Sequence, residues 1–507
     1  MMSSWGGADG IKSRTMEVFD SFGIADEVSK LWAPINSWAV WSEDDQGNIS
    51  RQFRTTNSPP VRTKWGDGAL QQGVIEKIIK HYLASQSSVS IQHETIPTSL
   101  TVEHTVTSHP DIYPCVVTLK RHQEENVSAE ETIRAKYVIG ADGAGSWTRK
   151  QLHLTTDTTR TNALWGVVDT RVTSDFPDLA SSTTVYNHHA GGMFFVRRER
   201  DLTRFYIQLT TDEDDSLDRD SVTLDFIIDR IRRRLSPYTL SINYCECSMS
   251  KHERVFLTGD AVHTHSPLAG LGMNISIQDS YNLGWKLAGV IKQELQPSVL
   301  DTYELERRPI AHELLDVDRI LFQFFHPGQF PNQDRSEDGA RVVRFLSGLQ
   351  IQYTPSILTL QQQDTNSLDQ LTAGMRIPDV EIWTVSTPLA ASANTSLLTI
   401  LRSDGSFHVV VFVEHVDLFA PFEVALRRLL PPSSRNWNVI PICMRAPDRI
   451  DLESRMPLYC LAEAEDSHAL ALKPSTVAVV RPDQYVGWCS GVDDTKGLET
   501  YLRGIFI

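Results

Sequence analysis

Residues 254–290 contain the types and spacing of side chains that best suit chemistry on a bound polar cofactor. An apolar run predicts a buried strand that ends at Asp260, and a loop marked by proline and glycine follows over 267–272. From residue 273 or 274, apolar and small residues recur at helical spacing. The glycines would admit a planar ring, the helix N-terminus would attract an anion, and Asp260 would accept hydrogen bonds from ribose-like hydroxyls. An ordinary strand–loop–helix connection gives the same spacing, because a lone glycine-rich loop is a weak motif.

Other segments place polar side chains at turns or helix starts. Asp9 lies in a glycine-rich loop, and Arg14 lies in the predicted helix that follows. Asp142 lies in a tight turn between a predicted strand and a predicted helix, and Gln72 begins an amphipathic helix. Taken alone, Asp9 and Asp142 are compatible with a turn carboxylate and a helix cap. Arg14 is equally compatible with a solvated helix charge, and Gln72 with a polar residue at a helix N-terminus.

The composition describes an ordinary globular protein with several domains. At 507 residues the chain is long enough for two to four domains, and its net charge of −16 argues against nucleic acid or an anionic membrane as the main partner. No apolar run approaches the roughly 20 residues that span a bilayer, and the first residues contain no apolar signal core. The six cysteines are few for this length and complete no zinc-binding pattern. We therefore expect no metal site and a cytoplasmic protein with reduced thiols.

The distribution of apolar residues predicts an α/β protein. Alternating apolar and polar residues predict sheet strands over 36–55, 95–121 and 163–209. Residues 326–340 are polar and rich in turn-forming types, which predicts an exposed linker. From about residue 355 the pattern changes to short strands and turns, which predicts a separate C-terminal part.

Three sequence strings carry a resemblance to a known family: GGADGIKSRTMEVFDSFGI, RAKYVIGADGAGSWTRKQL and GDAVHTHSPLAGLGMNISIQDSYNLGWKLA. They resemble motifs of the class A flavoprotein aromatic monooxygenases, specifically of the phenol hydroxylase-like (phenol 2-monooxygenase) branch. The resemblance implies an α/β fold with a Rossmann-like FAD-binding domain, an interleaved β-sheet substrate domain and a C-terminal thioredoxin-like domain.

The resemblance also implies domain boundaries. The FAD-binding and monooxygenase region is expected over residues 1–330. Its FAD-binding parts are expected at about 1–30, 65–90, 134–155 and 250–320, and its substrate sheet at about 31–64, 91–133 and 156–249. A linker over 331–354 and a thioredoxin-like domain over 355–507 complete the expected chain. This last part contains no C-x-x-C, so we expect no disulfide redox chemistry there.

Roles for individual side chains follow from the same resemblance. Asp9 would lie beside the flavin and the phenolic substrate as the catalytic base, and Arg14 would contact the FAD phosphates. Gln72 would contact the flavin, and Asp142 would contact FAD and take part in NAD(P)H handling. Asp260 would hold the ribityl or ribose part of FAD. The residues expected along the isoalloxazine ring are Pro267, Gly270, Leu271, Gly272, Met273 and Asn274.

Two features of the family are not found in this sequence. The G-x-G-x-x-G turn that cradles the ADP half of FAD does not occur, so we expect an incomplete Rossmann-like unit and weak FAD binding. Family members also place a strand with a tyrosine and an arginine after the position of Tyr238, where only a short segment joins residues 240 and 254 here. We therefore expect the groups that hold a phenolate to be reduced or lost, and NAD(P)H use to be poorly coupled to product.

The implied activity is hydroxylation of a phenolic or other aromatic small molecule with FAD, NADPH or NADH, and O₂, in aromatic catabolism or secondary-metabolite biosynthesis. The implied assembly is a homodimer. Two alternatives remain open. One is a flavin-poor paralogue that acts as a non-redox enzyme or as a partner subunit. The other is a truncated gene model of an active monooxygenase.

Overall fold

The architecture is that of a computed structural model of the chain. It describes residues 7–507 apart from 45, 87, 104–112, 122–129, 155–164, 188–190, 210–221, 243–255, 264–269, 325–335, 361–370, 386–393, 416–417, 430–436, 445–457 and 462–474. The strands of the first, larger part are β1 Gly10–Ile11, β2 Ala33–Pro34, β3 Ser37–Glu43, β4 Ile49–Thr56, β5 Gly68–Ala69, β6 Thr95–Val102, β7 Cys115–Arg121, β8 Glu130–Ala135, β9 Ile139–Gly140, β10 Trp165–Ser174, β11 Ser182–Asn187, β12 Gly191–Arg197, β13 Leu202–Gln208, β14 Leu240–Ile242 and β15 Phe256–Leu257. The strands of the C-terminal part are β16 Glu381–Val385, β17 Asn394–Ser396, β18 Phe407–Val413, β19 Trp437–Cys443, β20 Leu458–Leu461, β21 Thr476–Val480 and β22 Val486–Gly491.

Helices cover the sheets and connect them. They are α1 Ser13–Ser21, α2 Ala25–Leu31, α3 Gln72–Ala84, α4 Trp147–Gln151, α5 Leu224–Leu235, α6 Gly272–Ile291, α7 Asp301–Phe324, α8 Ser336–Ser347, α9 Leu397–Ile400, α10 Phe419–Leu429 and α11 Thr495–Ile505. None of these described helices is both long and apolar enough to cross a bilayer.

A seven-stranded sheet in the order β14-β10-β13-β12-β11-β3-β4 dominates the first part. Its neighbouring strands are antiparallel except for β11 and β3, which are parallel. Phe205 and Ile207 of β13 lie in the core on one face. Because side chains alternate along a strand, Arg204 and Tyr206 project from the opposite face. The strands predicted over 36–55, 95–121 and 163–209 are confirmed.

Short strands position the turns that contain Asp142, Asp260 and Asp9. β15 pairs in parallel with β9, so the two turns that follow these strands lie at the same edge. α6 begins at Gly272, within two residues of the predicted start. β1, β5 and β2 form a three-stranded sheet that connects the Asp9 loop to the start of α3. The predicted α/β fold is confirmed by these elements.

The C-terminal part is built on a second seven-stranded sheet, in the order β17-β16-β20-β19-β18-β21-β22. Its central strands β18, β19 and β20 are parallel neighbours. Val409 and Val411 of β18 share a core with Phe422 of α10 and Tyr501 of α11. This sheet therefore has its own apolar core, covered by helices.

The expected linker between the domains, 331–354, contains α8, and the predicted exposed segment, 326–340, overlaps the start of this helix. Val342 and Phe345 are buried in one core with Leu314 of α7 and with Tyr353. The polar composition suggested exposure because α8 is amphipathic and only one side of it is apolar. Residues 342–353 of this segment therefore pack against α7, whereas the exposure of residues 326–340 stays a prediction.

A buried network of charged residues joins the C-terminal sheet to α6 and α7. Glu306 accepts hydrogen bonds from Lys286 Nζ at 2.7 Å and from the two Nη atoms of Arg481 at 2.6 and 2.9 Å. Asp483 also accepts from Arg481, at 3.0 and 2.6 Å. All four side chains are buried. Because buried charges must be paired, the network fixes the C-terminal sheet against α6 and α7.

Candidate active site

Asp9 is held in a short loop immediately before β1. Its backbone C=O accepts a hydrogen bond from Leu70 N–H at 2.9 Å, and the C=O of Ala8 accepts one from Gln72 N–H at 3.2 Å. The Asp9 side chain is buried, with 3% of its surface exposed. The fold therefore sets its orientation.

Three side chains of the seven-stranded sheet surround the Asp9 carboxylate. Tyr206 OH donates a hydrogen bond to Asp9 Oδ1 at 2.9 Å. The Nε atoms of Arg204 and Arg198 lie 3.5 and 3.7 Å from Asp9 Oδ2. Although Oδ2 is buried, it has no hydrogen-bond partner in the described part of the chain. Buried carboxylate oxygens normally have a donor, so Oδ2 leaves one acceptor position for a hydroxyl group of a ligand.

Asp169 completes the cluster. Arg204 donates to it from Nε at 2.7 Å and from Nη2 at 2.5 Å, and Arg198 Nη1 lies 2.8 Å from Asp169 Oδ2. Burial alone would lower the pKa of Arg204, but the carboxylates of Asp9 and Asp169 raise it above its ordinary value. Arg204 is therefore a fixed cation beside Asp9, and Arg198 lies next to it.

Tyr206 is a hydrogen-bond donor in this cluster and part of a row of aromatic rings. Burial, followed by the charge of Asp9, raises the pKa of Tyr206 above its ordinary value, so its hydroxyl stays protonated. Its ring stacks on Phe194 with centroids 5.7 Å apart, and Phe194 stacks on Trp38 with centroids 6.0 Å apart. The sheet therefore presents an aromatic face next to Asp9.

The expected reduction of tyrosine and arginine groups after Tyr238 stays a prediction, because most of that segment lies outside the described residues. Upstream of that segment, a tyrosine hydroxyl and two guanidinium groups lie beside Asp9, from Tyr206 and Arg204 of β13 and from Arg198 directly after β12. Residues 243–255 of that later segment lie outside the described residues. The short connection there consequently says nothing against a phenol-binding site.

A signal for this missed part of the site is present in the sequence. In LTRFYIQL, Arg204 and Tyr206 alternate with the apolar residues Phe205 and Ile207. An arginine and a tyrosine at alternate positions of an otherwise apolar strand predict that one face of the strand is polar and does not pack into the apolar core. Asp169, by contrast, could be recognised only from the pairing of β10 with β13, where it lies opposite Arg204.

The loop expected along the flavin ends in the first turn of α6. Gly270 has a φ of +59°, and a Cβ added there would meet no atom within 4 Å. The first N–H groups of α6, at 272–274, have no partner within the helix. Gly270 leaves space for a flat ring. The N–H groups at 272–274 are hydrogen-bond donors with partial positive charge, which suit the electronegative edge of such a ring.

Asn274 fixes this loop through its side chain. Its Oδ1 accepts from Lys12 N at 2.9 Å and from Thr15 Oγ1 at 2.7 Å. Its Nδ2 donates to the C=O groups of Gly10 at 2.8 Å and Gly270 at 2.9 Å. These bonds use all hydrogen-bonding positions of the amide, so only the backbone N–H of Asn274 is left for a ligand.

Asp260 lies in a short turn directly after β15 and is half-buried. In the described part of the chain its carboxylate has no protein partner. It is thus placed as a strand-end acceptor, as the sequence suggested. Leu271 and Met273 pack into neighbouring apolar cores, whereas Pro267 lies outside the described residues.

Asp142 and Gln72 both have structural partners. Asp142 accepts from Ser146 Oγ, from Thr148 N at 3.0 Å and from Thr148 Oγ1 at 2.8 Å, beside the first turn of α4, whose N-cap residue is Ser146. Gln72 Oε1 accepts from Ala8 N at 3.2 Å, beside the Asp9 loop. Asp142 is also exposed and Gln72 is half-buried, so neither placement prevents contact with a cofactor.

Arg14 is enclosed by protein groups. Its Nη1 donates to Glu17 Oε2 and to Gln484 Oε1, both at 2.8 Å, and its Nη2 donates to the C=O of Asp483 at 2.8 Å. Its side chain is 1% exposed. This placement does not support the expected contact with FAD phosphates, because Glu17 and a turn of the C-terminal sheet occupy the guanidinium group. Arg14 instead links α1 to that turn.

The fold is shared with solved structures of flavin-dependent monooxygenases. The structure matches that of the flavin-dependent monooxygenase PieE in complex with FAD and substrate with a TM-score of 0.73 at 19% identity, covering 99% of this chain and 93% of that one. It matches aklavinone-11 hydroxylase in complex with FAD and aklavinone with a TM-score of 0.69 at 21% identity, covering 99% and 92%. At these identities the likeness shows the fold alone.

The sequence comparisons identify the family. Residues 3–318 match the FAD binding domain, and residues 468–507 match the phenol hydroxylase C-terminal dimerisation domain. The FAD-dependent monooxygenase ankC of Aspergillus thermomutatus is 43% identical over 99% of this chain and 91% of its own length. Phenol 2-monooxygenase fsqG of Aspergillus fumigatus is 32% identical over 99% of this chain and 90% of its own length. The chain therefore belongs to the class A FAD-dependent aromatic monooxygenases, and the resemblance carried by the three sequence strings is confirmed.

Proposed function

We propose that the protein hydroxylates a phenolic small molecule with O₂, using FAD and NADPH or NADH. The observation that carries the proposal is Asp9 Oδ2, a buried oxygen that has no hydrogen-bond partner among the described residues but lies at ion-pair distance from Arg198 and Arg204. A phenol hydroxyl would supply the donor that this oxygen lacks. The aromatic face formed by Tyr206, Phe194 and Trp38 would hold an aromatic ring, and the phenol 2-monooxygenase among the relatives supports the same substrate class.

In this proposal Asp9 is the catalytic base. The phenol donates its O–H to Asp9 Oδ2, and transfer of the proton raises the electron density of the ring at its ortho carbons. Arg198 and Arg204 stabilise the negative charge that develops on the phenol oxygen. Tyr206 holds Oδ1 and so keeps Oδ2 directed at the substrate.

The described residues near α6 fit FAD. Asp260 would accept hydrogen bonds from ribityl or ribose hydroxyls, and the N–H groups at 272–274 would donate to the flavin edge beside Gly270. Asp142 and Gln72 would make additional contacts with FAD. When bound, FAD supplies the oxygen-transfer chemistry, while the chain supplies binding, orientation and charge. Within the described ranges, no group of His, Cys, Asp and Glu side chains could hold a metal ion.

We also propose that the protein is a homodimer. The match of residues 468–507 to a dimerisation domain supports this assembly. Sedimentation velocity should then show a species of twice the 57.1 kDa chain mass at micromolar concentration. A single species with the mass of one chain would contradict it.

Paired substrates test the proposed chemistry. The wild-type protein, supplied with FAD and with NADPH or NADH, is given a panel of phenols and the methyl ether of each. Phenols should yield a product that has gained one oxygen atom, and ethers should not, because an ether has no proton for Asp9 to accept. Equal turnover of the two members of a pair would show that the Asp9 site does not act on the hydroxyl.

We expect Asp260→Ala to weaken FAD binding by about 10- to 100-fold, the effect of losing hydrogen bonds to a charged group. Asp9→Ala should leave FAD binding largely intact, because Asp9 faces the substrate in this proposal. Flavin fluorescence titration gives both dissociation constants. Equal losses in the two variants would contradict this division of roles.

A further inference from the structure

Asp279 of α6 holds both ends of the turn that carries Asp260. Its Oδ2 accepts from Gly259 N–H at 3.1 Å and from His263 Nε2 at 2.9 Å, and its Oδ1 accepts from Arg307 Nε at 2.6 Å. Gly259 immediately precedes Asp260, and His263 follows it by three residues. Asp279 is 2% exposed, so these bonds are shielded from water. One buried carboxylate thus holds the backbone N–H before Asp260 and the His263 side chain after it.

Other contacts place the same turn directly on α6. Gly259 has a φ of +63°, and a Cβ added there would lie 2.5 Å from Ser276 Oγ. Thr258 Oγ1 lies 2.9 Å from Ser280 Oγ. The turn therefore follows the surface of α6 closely, with Asp279 between Ser276 and Ser280 in the sequence of the helix. A change at Asp279 is consequently transmitted to the turn without an intervening side chain.

The charge of Asp279 makes these hydrogen bonds strong. Burial alone would raise the pKa of Asp279, but the charge of Arg307 and the hydrogen bond from His263 lower it below its ordinary value. Hydrogen bonds to an ionised acceptor are roughly twice as strong as those between neutral groups. Arg307 of α7 compensates the charge, so the arrangement is stable in the protein interior.

We propose that Asp279 is a positioning residue for cofactor binding, which directs Asp260 toward the cofactor hydroxyls by holding Gly259 and His263. The inference rests on the proposed function, in which Asp260 binds FAD. Since Asp279 acts through the turn, its replacement should reduce FAD affinity only while Asp260 is present to be positioned.

A double-mutant cycle tests this dependence. FAD dissociation constants are measured by fluorescence titration for wild type, Asp279→Asn, Asp260→Ala and the double variant. Asp279→Asn should weaken FAD binding on the order of tenfold, the size expected when a hydrogen bond involving a charged group is lost. The double variant should bind FAD no more weakly than Asp260→Ala alone, because coupled residues are not additive.

A matched control separates positioning from general stability. Glu306 of α7 is buried like Asp279, and it pairs with Lys286 and Arg481 away from the turn. Glu306→Gln should lower thermal stability while leaving the FAD dissociation constant unchanged. If Asp279→Asn does not fold, Asp279→Glu keeps the charge beside Arg307 but lengthens the side chain. That variant should also weaken FAD binding, and again only in the presence of Asp260.

Each outcome has a distinct meaning. Additive losses in the double variant would overturn the positioning role of Asp279 and leave that of Asp260 intact. Unchanged affinity in both Asp279 variants would also overturn it. Unchanged affinity in Asp260→Ala would remove the assignment on which the inference rests, and a wild-type chain that binds no FAD would overturn the proposed function itself.

Discussion

Asp9→Asn is expected to lower kcat for phenol hydroxylation by about 10²- to 10⁴-fold, the range that a positioned general base contributes. Asparagine preserves the shape of the side chain, and its Oδ1 can still accept from Tyr206, so the loop before β1 should remain in place. The amide cannot take up the phenol proton. The measurement is kcat from product formation, normalised to the amount of bound FAD.

The acidity of the substrate gives this prediction a second test. Phenols whose electron-withdrawing substituents lower the phenol pKa below neutral are already ionised at neutral pH and need no base. They should restore much of the lost rate in Asp9→Asn, because Arg198 and Arg204 still bind the phenolate oxygen. A loss of equal size for acidic and ordinary phenols would contradict a role in proton transfer.

Asp178 provides the matched control for Asp9. It is a buried carboxylate next to the same sheet, and it accepts from Trp41 Nε1 at 2.8 Å and from Arg51 Nε at 2.6 Å. Among the described residues it bonds or pairs with Trp41, Arg51 and Arg54, and not with Asp9 or Tyr206. Asp178→Asn should therefore reduce stability but keep kcat near the wild-type value. If both variants lose activity to the same extent, the effect at Asp9 is structural.

Glu306→Ala is expected to lower the free energy of unfolding by about 3–5 kcal/mol, the cost of removing one partner from a buried ion pair. The change removes the carboxylate that Lys286 and Arg481 share and leaves their charges buried. Burial already lowers the pKa of Lys286 to about 8. Chemical denaturation monitored by fluorescence measures the difference. Glu304→Ala, which breaks only the exposed pair with Arg308, should cost no more than about 1 kcal/mol.

The same network predicts a pH dependence. Burial alone would raise the pKa of Glu306, but the charges of Arg481 and Lys286 lower it from 4.5 to about 2. Because the folded-state pKa lies below the unfolded one, the stabilisation is present above about pH 4.5 and is lost as the pH falls toward 2. The difference in stability between wild type and Glu306→Ala should shrink in that window. A constant difference across it would contradict the ionised network.

Local pattern was enough to predict some parts of the site and not others. The strand, turn and helix around Asp260 follow from apolar periodicity and glycine, so their order and the start of α6 could be predicted within two residues. The partners of Arg14 could not, since Asp483 and Gln484 lie 469 and 470 residues away in sequence. Its residue type suits a phosphate contact and a buried ion pair equally well.

The role of β13 shows a different limit. The alternation of Arg204 and Tyr206 with apolar neighbours is visible in the sequence. Strand periodicity predicts which side chains share one face of the sheet, but not which part of the molecule contacts that face. The Tyr206 hydroxyl and the guanidinium groups of Arg198 and Arg204 meet the Asp9 carboxylate only because the folded sheet packs against the loop of Asp9. Composition also did not predict α8, because its polar residues alternate with an apolar side that packs against α7.

The most direct test of the central claim is the source and position of the oxygen in the product. The wild-type protein is incubated with FAD, NADPH or NADH, ¹⁸O₂ and a panel of phenols, and products are analysed by mass spectrometry and NMR. The account predicts one ¹⁸O atom on a ring carbon ortho to the phenol hydroxyl, and none in the matched Asp9→Asn reaction at early times. Protein that binds FAD and consumes NADPH or NADH but places no ¹⁸O in any phenol, or that labels Asp9→Asn products at the wild-type rate, would contradict it.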